Sequence, residues 1–546
     1  MSDRDSKVGR RGLMGAGAAT VALMAPGVAL AARKPPTTSP TTGAVAVTIN
    51  TADAPRPISP LIYGTNEFGG SSVATDKAAG IAARRLGGNR LTGYNWQTNH
   101  SHAGKDYYHQ NDDYLPWNLG VPQAEYRTPG SVVSKFHTDS RAMGAETLVT
   151  VPLAGYVAAD NAGPVSQAQT APSARWRPIA LQASADASAV RIDEFVRLMV
   201  QRHGASGSGN GIRAYALDNE PGLWFDSHPY LHPAKATYAE LIEKGIATAR
   251  MIKSIDPGAL IYGPVPFGFS EMWNLQEAPD RAAYAQYGNF LGAYLAAFKA
   301  EQDRTGVRLL DVLDVHWYPE CNAGQIPFSN TAGLQNDRLQ APRSLWDGRF
   351  VENSWIGQWY GPNQTFDLRL PLLPSLQRIV DKWYPGTKLG ITEFNYGASS
   401  IVASGLAVAD VLGAFGRFGV HAGYHWGLPD GFVGSAYRLY RNYDGAGGRF
   451  GDTSVGASAA DPAKLSVWAA TSAATGRLHV VMVNKTTAAV SVSATVGGGR
   501  TFRTLDGFTF DASSAAIRKP SAATTVSANA FTRSLPALSA WHFVLA

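Results

Sequence analysis

The chain has 546 residues, of which 45% are apolar and 16% charged, so it is a globular protein and neither disordered nor a coiled coil. Its formal charge is only +6, and part of that excess lies in residues 1–31. This excludes the clustered basic surface of a nucleic-acid-binding protein. A single cysteine, Cys321, excludes an intrachain disulfide framework and a metal site built from several cysteines.

The first residues resemble an export signal. "GRRGLMGAGAATVALMAPGVALAA" contains twin arginines, an apolar run too short to cross a bilayer and a small-residue cleavage site. We predict a signal peptide over residues 1–31, cleaved near Ala31, and a Pro/Thr-rich linker over 32–43. The arginine pair favours the twin-arginine route, with an ordinary secretory signal as the alternative. The mature protein is expected to be periplasmic or extracellular.

Strand-like and helix-like patterns alternate between residues 61 and 437. This alternation predicts a catalytic (β/α)8 TIM barrel of class α/β, and a doubly wound sheet is the alternative. In "AVRIDEFVRLMVQRHG", Ile192, Phe195, Val196 and Met199 form one apolar helix face. The predicted strands are residues 61–67, 90–96, 147–156, 212–220, 259–268, 309–319, 388–395 and 420–427.

A second domain is predicted over residues 438–546. The runs "LSVWAAT", "RLHVVMVN", "VSVSATV", "FRTLDGFTF" and "SAWHFVLA" are strands without helical periodicity, which is typical of an all-β sandwich. Residues 44–60 begin with "AVAVTINT", a strand that has no partner within the barrel. We expect this segment to contribute the first strand or strands of the sandwich. Bracing of the barrel is a simpler role for this domain than sugar binding, because its tryptophans, Trp468 and Trp541, are isolated.

Two glutamates are predicted at the active face of the barrel. Glu220, in "YALDNEPGLW", ends the fourth predicted strand, and Glu393, in "GITEFNYG", ends the seventh. A TIM barrel carries its active site at the carboxyl ends of its strands, and strands four and seven lie across the mouth. Two facing carboxyl groups are the machinery of glycoside hydrolysis. For either glutamate alone, a salt-bridged or solvated acid is the alternative.

Neighbouring polar residues are candidates for binding the sugar. Asn219 is positioned to hydrogen-bond a sugar 2-hydroxyl. Asp218 is interpreted as a residue that supports the neighbouring site residues without contacting the sugar. His316 and Tyr318 end strand six and could contact Glu393 or the sugar, although a structural role is the alternative for His316. Trp426 ends strand eight, where it could form a stacking floor or pack in the core.

Several long stretches resemble glycoside hydrolase family 44. They are "YALDNEPGLWFDSHPYLHP", "DVLDVHWYPE", "SLWDGRFVENSWIG", "GITEFNYG", "AVADVLGAFGRFG" and "YRNYDGAGGRFGDTSV". The resemblance implies an endo-acting β-1,4-glucanase or xyloglucanase with a barrel and a β-sandwich. It also implies that Glu220 is the acid/base and Glu393 the nucleophile of a retaining double displacement. The carboxyl groups should then lie about 5 Å apart.

The same resemblance suggests which residues line the cleft. It places Asn95 and Trp96 at the end of strand two, and Trp359 in the long loop after strand six. That loop also offers Trp346, Trp355 and Tyr360, and packing of the loop on itself is the alternative for each.

No cofactor is expected to be required for catalysis, although the resemblance allows a structural calcium ion. A polar loop is a candidate metal site whose residues lack a fixed spacing, and a solvated loop is the alternative. His228 and His232 are interpreted as cleft-loop residues, because prolines argue against a helix there. The polar residues of the candidate loop are His100, His102, Asp106, His109, Asp112 and Asp113.

The expected partner is a β-glucan polysaccharide, and we expect a monomer that binds neither nucleic acid nor a membrane. Three alternatives stay open: another β-1,4 backbone such as xylan or mannan, a carbohydrate-binding protein without catalysis, and transglycosylation. The last follows because a sugar can intercept a covalent intermediate as water does. Both glutamates and their flanks are intact, which argues against the binding protein.

Overall fold

The computed structural model describes residues 43–67, 69–521 and 523–546. The predicted signal peptide and all of the predicted linker except Gly43 lie outside these residues. In the described part of the chain, none of the helices has both the length and the apolarity that crossing a bilayer requires.

Eight parallel strands close into a barrel, which confirms the predicted TIM-barrel class. The short first strand pairs with the second and the eighth, so the barrel has no open edge. The strands are Gly64–Thr65, Ala83–Leu86, Glu146–Val151, Ala214–Leu217, Leu260–Pro264, Val312–Trp317, Lys388–Phe394 and Ala422–His425.

The second barrel strand is not where the sequence pattern placed it. The prediction of a strand over 90–96 is wrong: the strand is Ala83–Leu86, and Asn89–Thr92 forms a short helix. The cause is a pair of arginines, Arg84 and Arg85, within the strand. Both are fully buried, which arginine side chains achieve only when they are paired. Arg84 pairs with Asp76 in the layer outside the barrel, whereas Arg85 reaches into the barrel mouth.

Helices surround the barrel, and their apolar faces pack on the strands. The helix Ile192–His203 buries the four apolar residues predicted from its periodicity. The helix Tyr238–Ile255 begins after Thr237, whose side chain accepts a hydrogen bond from the Glu240 amide, as an N-cap does. The other helices are Val73–Ala79, Asn89–Thr92, Tyr114–Asn118, Ser131–Ala142, Trp224–Ser227, Phe269–Asn274, Phe290–Thr305, Gln335–Gln340, Trp355–Tyr360, Leu372–Trp383, Val402–Phe418 and Gly431–Arg441.

The second domain is all-β, as predicted, and consists of one curled, mixed sheet of eleven strands around its own apolar core. The strand Val45–Asn50 lies inside this sheet, parallel to Val490–Gly497 and antiparallel to Thr453–Ala459. The remaining strands are Arg56–Pro57, Leu465–Thr471, Leu478–Asn484, Thr504–Asp511, Ser514–Arg518, Thr524–Thr525, Ala530–Leu535 and Ser539–Leu545. The chain also forms two small three-stranded sheets outside the barrel strands. One consists of Ser101–His102, Gln110–Asp112 and Gly163–Pro164. The other consists of Tyr156–Ala158, Trp176–Ala180 and Val190–Arg191.

A buried polar cluster fastens the sheet to the barrel. Asp410, on the helix Val402–Phe418, accepts hydrogen bonds from Ser466 (2.7 Å) and from the Trp468 indole (2.9 Å). Lys485 lies 3.2 Å from the same carboxylate, and both charges are buried. A buried charge is tolerated when it is paired and hydrogen-bonded, so this cluster fixes how the sheet sits on the barrel helix.

Candidate active site

Glu220 and Glu393 meet at the barrel mouth. Glu220 follows the fourth strand, Glu393 lies at the end of the seventh, and both side chains are buried. One oxygen of each carboxylate and one His316 nitrogen all lie within 4.8 Å of one another. The structure therefore confirms the expectation that these two acids face each other at the barrel mouth, whereas their catalytic roles stay a prediction.

His316 lies between the two glutamates. Its Nδ1 is 2.9 Å from Glu220 Oε1 and 3.5 Å from Glu393 Oε2. The sixth and seventh strands shift register between Val315 and His316, which brings His316 opposite Glu393. Such an irregularity re-aims a side chain, and here it directs the imidazole at both acids.

Two donors orient the Glu393 carboxylate. Arg85 Nη1 lies 2.9 Å from Oε1, and the Tyr318 hydroxyl donates to Oε2 at 2.6 Å. Arg85 also donates to Asn66 Oδ1 and, through Nη2, to Asn219 Oδ1, both at 2.8 Å. Charge-assisted bonds of this kind are short and directional, so the carboxylate is held in one orientation.

Asn219 belongs to the same network. Its Oδ1 accepts from Arg85, and its Nδ2 donates to Asn89 Oδ1 at 3.1 Å. Asn89 in turn donates to Asp106 at 2.9 Å. The Asn219 amide therefore has one defined orientation beside Glu220, and its predicted bond to a sugar hydroxyl stays a prediction.

Asp218 holds the backbone just before Glu220. Its carboxylate accepts from the Thr92 hydroxyl (2.6 Å), from the Asn219 amide (2.7 Å) and from the amides of Leu153 and Ala154. Burial raises the pKa of Asp218, and the hydrogen bonds from Thr92 and the backbone act in the opposite direction. Asp218 thus ties the turn to the loop after strand three.

The aromatic candidates have different surroundings. Trp359 is 61% exposed and therefore accessible to a ligand. Trp426 is half-buried beside Gly88, where a Cβ would lie 2.5 Å from its ring. Trp355 and Tyr360 pack in an aromatic cluster with Phe269, Trp273 and Phe366, and Trp346 packs on Trp468 of the sheet domain.

Asn95 and Trp96 do not end a strand, which corrects the prediction of their location. Both are buried, in the segment that follows the helix Asn89–Thr92. Asn95 donates to the Ala158 carbonyl, and Trp96 donates to the Arg191 carbonyl while its ring packs on Phe195. Because these contacts build the loop itself, the structure offers no feature that favours their predicted contact with substrate.

The polar loop after strand two is cross-linked by its own ion pairs. Asp112 pairs with Arg90, and Asp113 pairs with Arg127 and is hydrogen-bonded to His100. Among the described residues, the metal-type side chains that converge as a group of three are Glu220, His316 and Glu393. Calcium prefers an all-oxygen ligand set, so this group, with an imidazole between two acids, does not fit a structural calcium ion. His228 is buried against His102, whereas His232 bonds Glu240.

Sequence reasoning missed Arg85, Asn66 and Asn89. It also missed Glu271, whose buried carboxyl accepts hydrogen bonds from the Gly222 and Phe267 amides. The arginine pair in "ARRL" was the available signal, because two arginines in a barrel strand must find buried partners. Exposed aromatics on the loop after strand two were also missed, namely Trp117 (59% exposed) and Tyr108 (74%).

A TIM barrel with two buried, closely facing glutamates at its mouth is the arrangement of a glycoside hydrolase. The model of glycoside hydrolase family 44 matches residues 100–321. Endoglucanase A of Paenibacillus lautus is 42% identical over 518 residues, which are 92% of this chain and 72% of that protein. The chain therefore belongs to glycoside hydrolase family 44.

Two further similarities agree with this assignment. The solved structure of a family 44 xyloglucanase of Paenibacillus polymyxa with xyloglucan superimposes with a TM-score of 0.85 at 42% identity, covering 92% of this chain and 99% of that one. A β-mannanase/endoglucanase A of Caldicellulosiruptor saccharolyticus is 39% identical over 519 residues, which are 90% of this chain but 38% of that protein.

Proposed function

We propose that this protein is an endo-acting, retaining enzyme that hydrolyses internal β-1,4-glucosidic bonds of soluble glucans and xyloglucan. The observation that carries the proposal is the separation of the acids, since oxygens of Glu220 and Glu393 lie within 4.8 Å. Retaining enzymes place their carboxyl groups about 5 Å apart, whereas inverting enzymes leave room for a water at about 6.5–9.5 Å. The names of the relatives, endoglucanase and xyloglucanase, support the choice of substrate.

The reaction proceeds in two displacements. In the first, Glu393 attacks the anomeric carbon while Glu220 gives its proton to the departing glycosidic oxygen. Arg85 and Tyr318 aim the nucleophile, because each donates to one of its oxygens. In the second, Glu220 takes a proton from a water whose oxygen attacks the anomeric carbon, the bond to Glu393 breaks, and the sugar leaves with its configuration retained.

Mannan is a second candidate substrate. The Caldicellulosiruptor saccharolyticus relative carries both the mannanase and the endoglucanase name. This chain spans only 38% of that protein, so the name of the relative does not say which part of it carries either activity. The glucan assignment has the broader support because the Paenibacillus relatives carry glucanase and xyloglucanase names and match over most of their length.

The test is release of reducing ends from xyloglucan, carboxymethylcellulose, xylan and mannan by the protein from Ala32 onward. We expect activity on the two glucans, loss of that activity in Glu393→Gln, and a product with the starting anomeric configuration by NMR. The export signal predicted over residues 1–31, of the twin-arginine or the ordinary secretory type, supports activity outside the cytoplasm, which fractionation of the producing cells would check. An inverted product, or equal activity of Glu393→Gln, would contradict the proposal.

A further inference from the structure

Glu220 sits on an unusual backbone. Its φ is 46° and its ψ 55°, and Asp218 two residues earlier has a φ of 67°. Residues other than glycine adopt this left-handed region only where the surroundings hold them there. The turn after strand four must therefore be fixed on both sides of Glu220.

Before Glu220, the four donors to Asp218 supply that restraint. At Glu220 itself, the amide donates to the Val265 carbonyl at 2.9 Å. This bond joins the turn to the loop after strand five, where residues 265–267 lead into the helix Phe269–Asn274.

After Glu220, the restraint is a buried carboxyl on that helix. Glu271 Oε1 accepts from the Gly222 amide at 2.6 Å, and Oε2 accepts from the Phe267 amide at 2.8 Å. The Glu271 side chain therefore joins the turn that carries Glu220 to the loop after strand five. The Glu220 amide bonds the same loop. A Cβ on Gly222 would lie 2.7 Å from Glu271 Cδ, so the approach requires glycine at 222.

The Glu271 carboxyl is fully buried, and its pKa depends on the charge of Glu220. Burial raises the pKa of Glu271 to about 8, the two backbone amides act against this, and the nearby Glu220 carboxylate adds to the rise. Removing this carboxyl takes away the acceptor of two backbone amides beside the catalytic turn, and a buried donor without an acceptor destabilises the conformation that holds it.

We propose that Glu271 is a positioning residue for the proton donor: by holding the Gly222 and Phe267 amides it keeps Glu220 aimed at the glycosidic oxygen. The inference rests on the proposed function, in which Glu220 is the acid/base. Glu271 acts through the backbone amides of Gly222 and Phe267, so its loss should impair protonation of the leaving group and leave nucleophilic attack by Glu393 intact.

The test compares two substrates that differ in how much acid help they need. Aryl cello-oligosaccharides with a 2,4-dinitrophenyl leaving group need little protonation, whereas phenyl ones need it fully. The variants are Glu271→Gln, which turns one acceptor oxygen into a donor facing a backbone N–H, and Glu220→Gln as the benchmark. The matched control is Glu352→Gln: Glu352 is equally buried, burial raises its pKa to about 7, and it accepts from Ser344 and Ser354 rather than at the catalytic turn.

We expect kcat/KM of Glu271→Gln to fall at least tenfold on the phenyl substrate and less than threefold on the dinitrophenyl substrate, as in Glu220→Gln. Glu352→Gln should change both substrates by the same factor. An equal loss on both substrates in folded Glu271→Gln, or no loss, overturns the inference. If that variant does not fold, Gly222→Ala perturbs the same contact while keeping the carboxyl and is judged by the same ratio.

The Glu220→Gln variant distinguishes a failure of the proposed acid role of Glu220 from a failure of the positioning role of Glu271. If Glu220→Gln itself loses activity equally on both substrates, the acid role in the proposed function fails. If Glu220→Gln is selective and Glu271→Gln is not, only the positioning role fails.

Discussion

Arg85 Nη1 lies 2.9 Å from Glu393 Oε1, and both side chains are completely inaccessible to solvent. The two residues are 308 positions apart in the chain, on the second and seventh barrel strands. Nη2 of the same guanidinium donates to Asn219, so one cation connects the proposed nucleophile, Glu393, to the neighbour of the proposed acid, Glu220.

Arg85→Lys should therefore lower kcat by about 100-fold, which corresponds to about 2.7 kcal/mol of transition-state stabilisation. A lysine ammonium cannot reproduce the planar fork that serves Glu393 and Asn219 together. Initial rates on xyloglucan would measure the loss, with circular dichroism to verify folding.

Arg84 is the matched control for this prediction. It is the adjacent residue, equally buried, and it pairs with Asp76 at 3.0 Å outside the barrel lumen. Arg84→Lys should lower the melting temperature but leave kcat within about threefold, because alternate strand residues face opposite sides. A similar kcat loss in both variants would show that the effect is structural.

Tyr318→Phe should lower kcat by about 10–100-fold with little change in KM. The variant removes only the hydroxyl that donates to Glu393 Oε2 at 2.6 Å, and hydrogen bonds to charged groups contribute about 1.5–3 kcal/mol. Steady-state kinetics on a soluble glucan checks the split between kcat and KM. As a control, Tyr384→Phe removes a 2.6 Å bond to Gln302 in the outer helix layer and should leave kcat unchanged.

The barrel and its two acids could be predicted from the sequence because their signals are local. Strands with apolar runs alternate with amphipathic helices. Glu220 closely follows the fourth strand, and Glu393 lies at the end of the seventh. The network around the acids could not be predicted, because it joins residues such as Arg85 and Glu393 that only the closed barrel brings together. Buried arginines in a strand look like a surface segment, and for this reason strand two was misplaced.

The fate of the aromatic residues has a similar explanation. Trp355 and Trp359 belong to one short helix, yet Trp355 lies in an aromatic cluster while Trp359 is 61% exposed. A tryptophan's identity is compatible with either role, and only the rotation of the helix decides which ring faces outward.

Trp359→Ala should raise KM for xyloglucan about tenfold, equivalent to about 1.4 kcal/mol of binding free energy. The exposed ring is accessible to a sugar, which we predict stacks on its face, and truncation to alanine removes that face. Retarded migration in xyloglucan-containing gels would measure binding without turnover. Trp359→Phe retains an aromatic face and should restore most of the affinity. Unchanged migration of the alanine variant would show that Trp359 does not contribute to xyloglucan binding.

His479→Gln should make the protein less sensitive to acid. His479 Nδ1 lies 2.9 Å from His542 Nε2, beneath the last barrel helix, and both rings are buried in the sheet domain. Burial lowers the pKa of His479 to about 4, and the charge of Arg477 adds to that effect. The unfolded chain, with an ordinary histidine pKa of about 6.5, binds this proton more readily than the folded protein. Stability due to His479 is therefore complete above about pH 6.5 and falls progressively as the pH drops towards 4.

Between pH 7.5 and pH 5 this difference corresponds to about 2 kcal/mol in the free energy of unfolding. Buried acids with raised pKa values, such as Glu271 and Asp76, gain stability as the pH falls and act in the opposite direction. The informative quantity is therefore the difference between His479→Gln and the unmodified protein in urea unfolding at the two pH values. Glutamine can still pair with His542 but does not titrate, so the variant should lose about 2 kcal/mol less on acidification. An identical pH dependence of the free energy of unfolding in both proteins would mean that protonation of His479 does not contribute to the loss of stability in acid.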